Sequence, residues 1–139
     1  MIFPPKSALV VEDDPSHRAA TQLMLRQMGF DSVAVEDGAQ AWARLKRESF
    51  DLILSDWHME PMDGMALLRA VRADARLAAT PVVMMSADLT LSAWRDAICA
   101  GASDFLLKPF ARRQLLEAAA IAIGAPVTGR SNVIDFRAL

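Results

Sequence analysis

The sequence predicts an α/β domain: five parallel strands in a doubly wound sheet, order 2-1-3-4-5, covered by five helices. Two observations predict it. Four short apolar runs, Ala8-Leu9-Val10-Val11, Leu52-Ile53-Leu54, Val82-Val83-Met84-Met85 and Phe105-Leu106-Leu107, are each too short for a helix. Continuous apolar runs of this length are typical of strands buried on both faces of a parallel sheet. Helical patterns alternate with the strands from residue 7 to residue 123, and serial βα units imply right-handed crossovers.

The first strand is read at Ala8–Val11. Asp14-Pro15 then opens a helix, with Asp14 as N-cap and Pro15 in the first helical position. Thr21, Met24, Leu25 and Met28 form a core-facing stripe, and Gly29 stops the helix. A second strand is read at Ser32–Val35 and a second helix at about Ala39–Arg47. The third strand, Leu52–Ser55, leads into the loop 57–64, which is punctuated by Pro61 and Gly64. Helix three covers about Met65–Arg72. Strand four is Val82–Met85, helix four about Leu91–Ala100, strand five Asp104–Leu107 and helix five about Ala111–Ile123. The order 2-1-3-4-5, as in flavodoxin-like folds, sets the ends of strands one and three side by side at the switch point. Residues 1–6 form a short lead, 7–123 the domain, and 124–139 a tail loosened by Gly124, Pro126, Gly129 and Ser131. The tail reads first as a frayed end, with docking on this domain or on a partner as the alternative.

Composition narrows the function classes. With 139 residues, the chain suits one domain, and it is 53% hydrophobic. The net charge of −2 is spread without a basic block, which argues against nucleic-acid binding. The single cysteine, Cys99, cannot form an internal disulfide, which fits a reducing compartment. No signal peptide or membrane-length apolar run is visible, so a soluble cytoplasmic protein is expected.

Polar residues at the strand ends carry the chemistry. Glu12 and Asp13 follow strand one, Asp56 follows strand three, Ser86 follows strand four and Lys108 follows strand five. In open parallel sheets the ligand crevice lies at those ends. Three carboxylates there can hold Mg²⁺, a lysine can neutralise a phosphoryl oxygen, and a hydroxyl can bind another.

Four phrases carry a family resemblance: Val10-Val11-Glu12-Asp13-Asp14; Ser55-Asp56-Trp57-His58-Met59 with Met62-Asp63-Gly64; Met85-Ser86-Ala87; and Gly101-Ala102-Ser103-Asp104-Phe105-Leu106-Leu107-Lys108-Pro109-Phe110. Over residues 7 to 123 the chain resembles the receiver domain of two-component response regulators, of the stand-alone, chemotaxis-regulator-like type. The resemblance implies that Asp56 is the phosphoacceptor for a sensor histidine kinase or histidine phosphotransfer protein. It implies Asp13 as direct Mg²⁺ ligand, Glu12 as the outer acid acting through water, and the backbone carbonyl of His58 as a further ligand. Ser86 and Lys108 match the phosphoryl-binding hydroxyl and lysine, Phe105 the aromatic switch residue, and Lys108-Pro109 a cis peptide. His58 and Asp88 match the two positions that tune phosphoryl lifetime. The match departs at His58, where Asn or an apolar residue is common, and at Glu60, where proline is usual; here the proline is Pro61.

Asp14 and Asp63 are read as caps, Asp104 as the start of strand five, His17 as a solvated side chain, and Trp42 and Trp94 as packing residues. Helix five is apolar around much of its circumference, so it supplies either a wide core face or a surface for a partner or second copy. The face of helix four, strand five and helix five is the expected contact for a downstream protein. Competing readings are a pseudo-receiver that only binds partners, the receiver part of a longer regulator, a small phosphatase and a flavin-binding protein. A phosphatase would need an acid where His58 stands, and a flavin site would need a phosphate loop where Glu12-Asp13-Asp14 stands.

Overall fold

Strand register decides where the polar strand ends meet. In a computed structural model, which describes residues 6–88, 90–124, 127–128 and 133–134, the sheet strands are β1 (Lys6–Val11), β2 (Phe30–Val35), β3 (Leu52–Asp56), β4 (Val82–Ser86) and β5 (Asp104–Leu107). All four neighbouring pairs are parallel, and the order is β2-β1-β3-β4-β5. Val11 stands opposite Ser55, so Glu12 emerges level with Asp56. Ser86 pairs with Leu107, so Lys108 emerges just beyond Ser86 on the next strand.

The helices are α1 (Pro15–Gln27), α2 (Gly38–Leu45), α3 (Gly64–Ala73), α4 (Leu91–Cys99) and α5 (Arg112–Ile123). Alternation along each strand divides the core in two. Leu9, Val11, Ile53, Val82 and Met84 pack with Ala41, Leu45, Leu67, Leu68, Val71 and Ala97 from α2, α3 and α4. Ala8, Val10, Leu52, Leu54, Val83 and Met85 pack with Leu25, Leu115, Ala118 and Ala119 from α1 and α5. Both faces of the sheet are therefore covered, which is why its strands lack polar alternation.

Side-chain caps place the helix starts at the edge that carries the strand ends. Asp14 accepts from the Ser16 amide at 2.9 Å and Asp63 from the Ala66 amide at 2.8 Å, the capping roles expected of both. Asp37 and Thr90 cap α2 and α4 in the same way. Gly29 takes φ 91° behind α1, a left-handed conformation that a side chain would strain.

Several boundaries shift from the sequence reading. β1 and β2 each begin two residues earlier, and α2 stops at Leu45 rather than Arg47. Trp94 is 43% exposed on α4, so it is not the packing residue expected, whereas Trp42 does pack against the core. β6 (Val127–Thr128) and β7 (Val133–Ile134) pair antiparallel, and β7 runs beside α5. Val127, Thr128, Val133 and Ile134 are all β-branched, which suits such a pairing. Residues 1–5 of the lead and the rest of the tail beyond Gly124 lie outside the described residues.

Candidate functional site

The chain reverses beyond Val11, and Glu12 stays buried at 1% exposure while Asp13 turns outward. The Glu12 amide donates to the Val35 carbonyl at 3.0 Å, and its own carbonyl accepts from Arg18 Nη1 at 2.9 Å. Asp56, 7% exposed, ends β3 beside it. One carboxylate oxygen from each of Glu12, Asp13 and Asp56 lies within 4.8 Å of the others. Lys108 Nζ enters this group from β5. It donates to Glu12 Oε2 at 2.7 Å and Oε1 at 2.9 Å, and lies 3.2 Å from Asp56 Oδ2.

Burial is costly for a carboxylate and pushes the Glu12 pKa up to about 7. The hydrogen bond and charge of Lys108 oppose that rise, while the charges of Asp56 and Asp13 add to it. The His17 pKa is lowered, first by burial and then by the Lys108 charge, against the pull of Asp14 and Asp56.

The β3–α3 loop closes over the site through backbone contacts. The Trp57 amide donates to the Met85 carbonyl at 2.8 Å, and the Gly64 amide donates to the Trp57 carbonyl at 2.9 Å. A Cβ at Gly64 would run into the Asp56 carbonyl and Met84 Cε, so glycine is required by close approach. Asp13, His58, Met59, Glu60 and Asp63 line an open cleft of about 520 Å³. His58 stacks on Trp57, with centroids 6.2 Å apart. The Glu60–Pro61 and Lys108–Pro109 bonds are both cis; only the second was expected.

Ser86 is fully buried, but its hydroxyl is turned to the β4–α4 loop. Oγ accepts from the Asp88 amide at 3.1 Å and donates to the Asp88 carbonyl at 3.2 Å. The Asp88 residue itself is exposed. The Lys108 amide donates to the Ser86 carbonyl at 2.8 Å, tying β5's end to β4's. Phe105 is half-buried and meets Trp57 edge-on at 5.8 Å.

The structure thus brings Glu12, Asp13, Asp56 and Lys108 into one group, with Ser86 adjoining through the backbone. His58 lines the cleft beside it, and Phe105 lies behind Trp57. Three residues escaped the sequence reading. Trp57 links Phe105 to the loop after Asp56, Arg18 holds the Glu12 carbonyl, and His17 faces Glu12. The solvated reading of His17 is corrected: its Nδ1 is buried and lies 3.5 Å from Glu12 Oε1. A signal was available, since His17 precedes Thr21 by four residues and so continues the stripe of Thr21, Leu25 and Met28.

The donor set suits Mg²⁺. All three side chains offer oxygen, the donor that Mg²⁺ prefers. Carboxylate oxygens within 4.8 Å can share one ion, with one of them acting through water.

A family model described as the response regulator receiver domain matches residues 8–120. The chemotaxis protein CheY of Pseudomonas aeruginosa is 38% identical over 110 residues, which cover 78% of this chain and 89% of that protein. CheY-3 of Vibrio cholerae is 34% identical over 110 residues, 78% of this chain and 85% of that one. Among solved structures, the receiver domain of sensor histidine kinase PA1611 from Pseudomonas aeruginosa, with a magnesium ion coordinated in its active-site cleft, superposes with TM-score 0.80. It is 30% identical, covering 87% of this chain and 99% of that one. The chemotaxis response regulator CheY4 of Vibrio cholerae superposes with TM-score 0.77 at 29% identity, covering 81% of this chain and 94% of that one. Among the described residues no helix is long and apolar enough to cross a membrane.

Proposed function

Because the chain belongs to the response regulator receiver family, we propose that residues 7–123 accept a phosphoryl group on Asp56 and signal by phosphorylation-dependent protein binding. The observation that carries this reading is the convergence of Asp56, Glu12, Asp13 and Lys108 at matched strand ends. The donor is a histidine kinase or a histidine phosphotransfer protein. An Asp56 carboxylate oxygen bonds to phosphorus, the P–N bond to the donor imidazole breaks, and that nitrogen keeps the electron pair and takes a proton. No turnover substrate is required; hydrolysis of the acyl phosphate returns the starting carboxylate.

Asp13, Asp56, the His58 carbonyl and, through water, Glu12 would hold Mg²⁺. The ion would offset repulsion between the phosphoryl group and the carboxylates. Lys108 would take one phosphoryl oxygen as a point charge, leaving Glu12. Ser86 would take another, leaving Asp88. Release of the β4–α4 loop would free Phe105, now edge-on to Trp57, to turn inward. His58 and Asp88 would orient or repel the hydrolytic water. Output would leave by the α4–β5–α5 face, where Leu91, Trp94, Ile98 and Leu107 are exposed hydrophobics.

The test is intact-protein mass after incubation with acetyl phosphate, with and without Mg²⁺, beside Asp56→Asn. A Mg²⁺-dependent gain of one phosphoryl group, absent in the variant, supports the reading. If neither acetyl phosphate nor a panel of phosphorylated phosphotransfer proteins transfers the group, the chain is a pseudo-receiver that binds partners without it.

A further inference from the structure

His17 carries an unmet need that the proposed phosphoryl chemistry does not use. Its Nδ1 is buried and has no hydrogen-bond partner among the described residues. Buried ring nitrogens are nearly always paired, so an exception calls for a physical account. The carboxylate oxygen it faces is Glu12 Oε1 at 3.5 Å, just too far for a good hydrogen bond. The ring cannot easily turn away. It stands edge-on to Phe110, with centroids 5.3 Å apart and planes at 87°, and Phe110 is only 8% exposed. Thr21 Oγ1 also donates to the His17 carbonyl at 2.8 Å, holding that turn of α1.

Both Glu12 oxygens are now occupied by Lys108, at 2.7 and 2.9 Å. In the reading proposed above, Lys108 leaves for a phosphoryl oxygen on Asp56. Glu12 then stands buried without its cation. His17 is the polar side chain already aimed at it, and closing by about half an ångström makes a hydrogen bond. The Glu12 backbone is held by Arg18 from the next position of the same helix. The first turn of α1 would thus grip both the carbonyl and the carboxylate of Glu12.

We propose that His17 is a positioning residue that takes over the Glu12 carboxylate from Lys108 when a phosphoryl group occupies Asp56, keeping Glu12 oriented toward the metal's water. The inference rests on the receiver reading. It assigns His17 a role conditional on the phosphorylated state: a spectator while Lys108 holds Glu12, and a needed donor once Lys108 has moved.

The experiment is calorimetric titration of Mg²⁺ into the full chain, with and without beryllium fluoride as phosphoryl mimic. His17→Phe keeps the ring edge against Phe110 and removes the nitrogen. His17→Asn keeps an N–H near the Nδ1 position and removes the ring. Without beryllium fluoride, wild type and both variants should bind Mg²⁺ equally. With it, His17→Phe should lose about tenfold in Mg²⁺ affinity, the scale of lost outer-shell support, and His17→Asn should recover most of that. Equal affinity of His17→Phe and wild type in beryllium fluoride overturns the role. So does an equal loss in both variants, which would mark His17 as packing only. A wild type that takes neither Mg²⁺ nor beryllium fluoride overturns the receiver reading and this inference with it, so the two failures are distinguishable.

Discussion

Lys108 leans on Glu12 rather than on Asp56: its Nζ lies 2.7 and 2.9 Å from the two Glu12 oxygens and 3.2 Å from Asp56 Oδ2. One cation therefore balances two buried carboxylates in the metal-free protein. Removing it leaves an uncompensated acidic pair, which costs about 3 kcal/mol where a buried pair is broken. Lys108→Ala should melt lower than wild type in EDTA, and Mg²⁺ should raise its melting temperature by more than it raises that of wild type. Equal Mg²⁺ increments in thermal melts would show that Lys108 does not offset the carboxylates.

The raised Glu12 pKa gives a pH dependence with a definite sign. Folding moves it from 4.5 to about 7, so between those values the folded chain holds a proton that the unfolded chain has released. This contribution makes the metal-free fold lose stability as pH rises from about 4.5 to about 7 and stay level above. Mg²⁺ competes with the same proton, so its affinity should strengthen as pH rises through 7. Melts in EDTA at pH 5.5 and 8 should differ less for Glu12→Gln than for wild type. Identical pH differences in the two proteins would remove Glu12 as the source.

Gly64→Ala tests the close approach of α3 to the end of β3. The added Cβ meets the Asp56 carbonyl, which is backbone and cannot rotate away. Overpacking of this kind costs about 1–3 kcal/mol. A urea midpoint should fall accordingly, and phosphorylation by acetyl phosphate should slow because the Asp56 backbone must shift. A variant with an unchanged midpoint would mean that the loop has more freedom than its hydrogen bonds suggest.

The tail should matter to α5. Ala120 is fully buried although it lies about 140° around the helix from Leu115, which faces the sheet. With β7 alongside α5, deletion of residues 125–139 should uncover the stripe Leu116, Ala120 and Ile123. The loss should be about 1–3 kcal/mol, with a tendency to self-associate, read by thermal melts and light scattering. A truncated chain that stays monomeric and melts like wild type would place the cover of Ala120 elsewhere.

Much of the fold was legible because its signals are local. Apolar runs such as Leu52–Leu54 are unambiguous when bounded by polar residues, and Asp14-Pro15 marks a helix start by capping chemistry alone. The strand-end residues of the candidate site were legible for the same reason, since the end of each run could be read directly. Side-chain contacts across elements were not. The stripe that His17 continues turns it inward, but does not identify Glu12 and Phe110 as what it meets, and nothing near Trp57 reveals Phe105. Trp94 was misjudged because an indole suits a core and an exposed partner surface equally well.

By itself the sequence determined the alternation of strands and helices, the caps, and which polar residues end which strands, because each depends on neighbours a few positions away. Tertiary structure alone decided that Lys108 pairs first with Glu12, that Ser86 faces the Asp88 backbone, that half-buried His17 sets its Nδ1 beside Glu12, and that Gly64 touches Asp56. Those depend on parallel register and on the angle at which helices cross the sheet. Differences of a few tenths of an ångström in contacts between residues up to 96 positions apart are set only when the whole core packs.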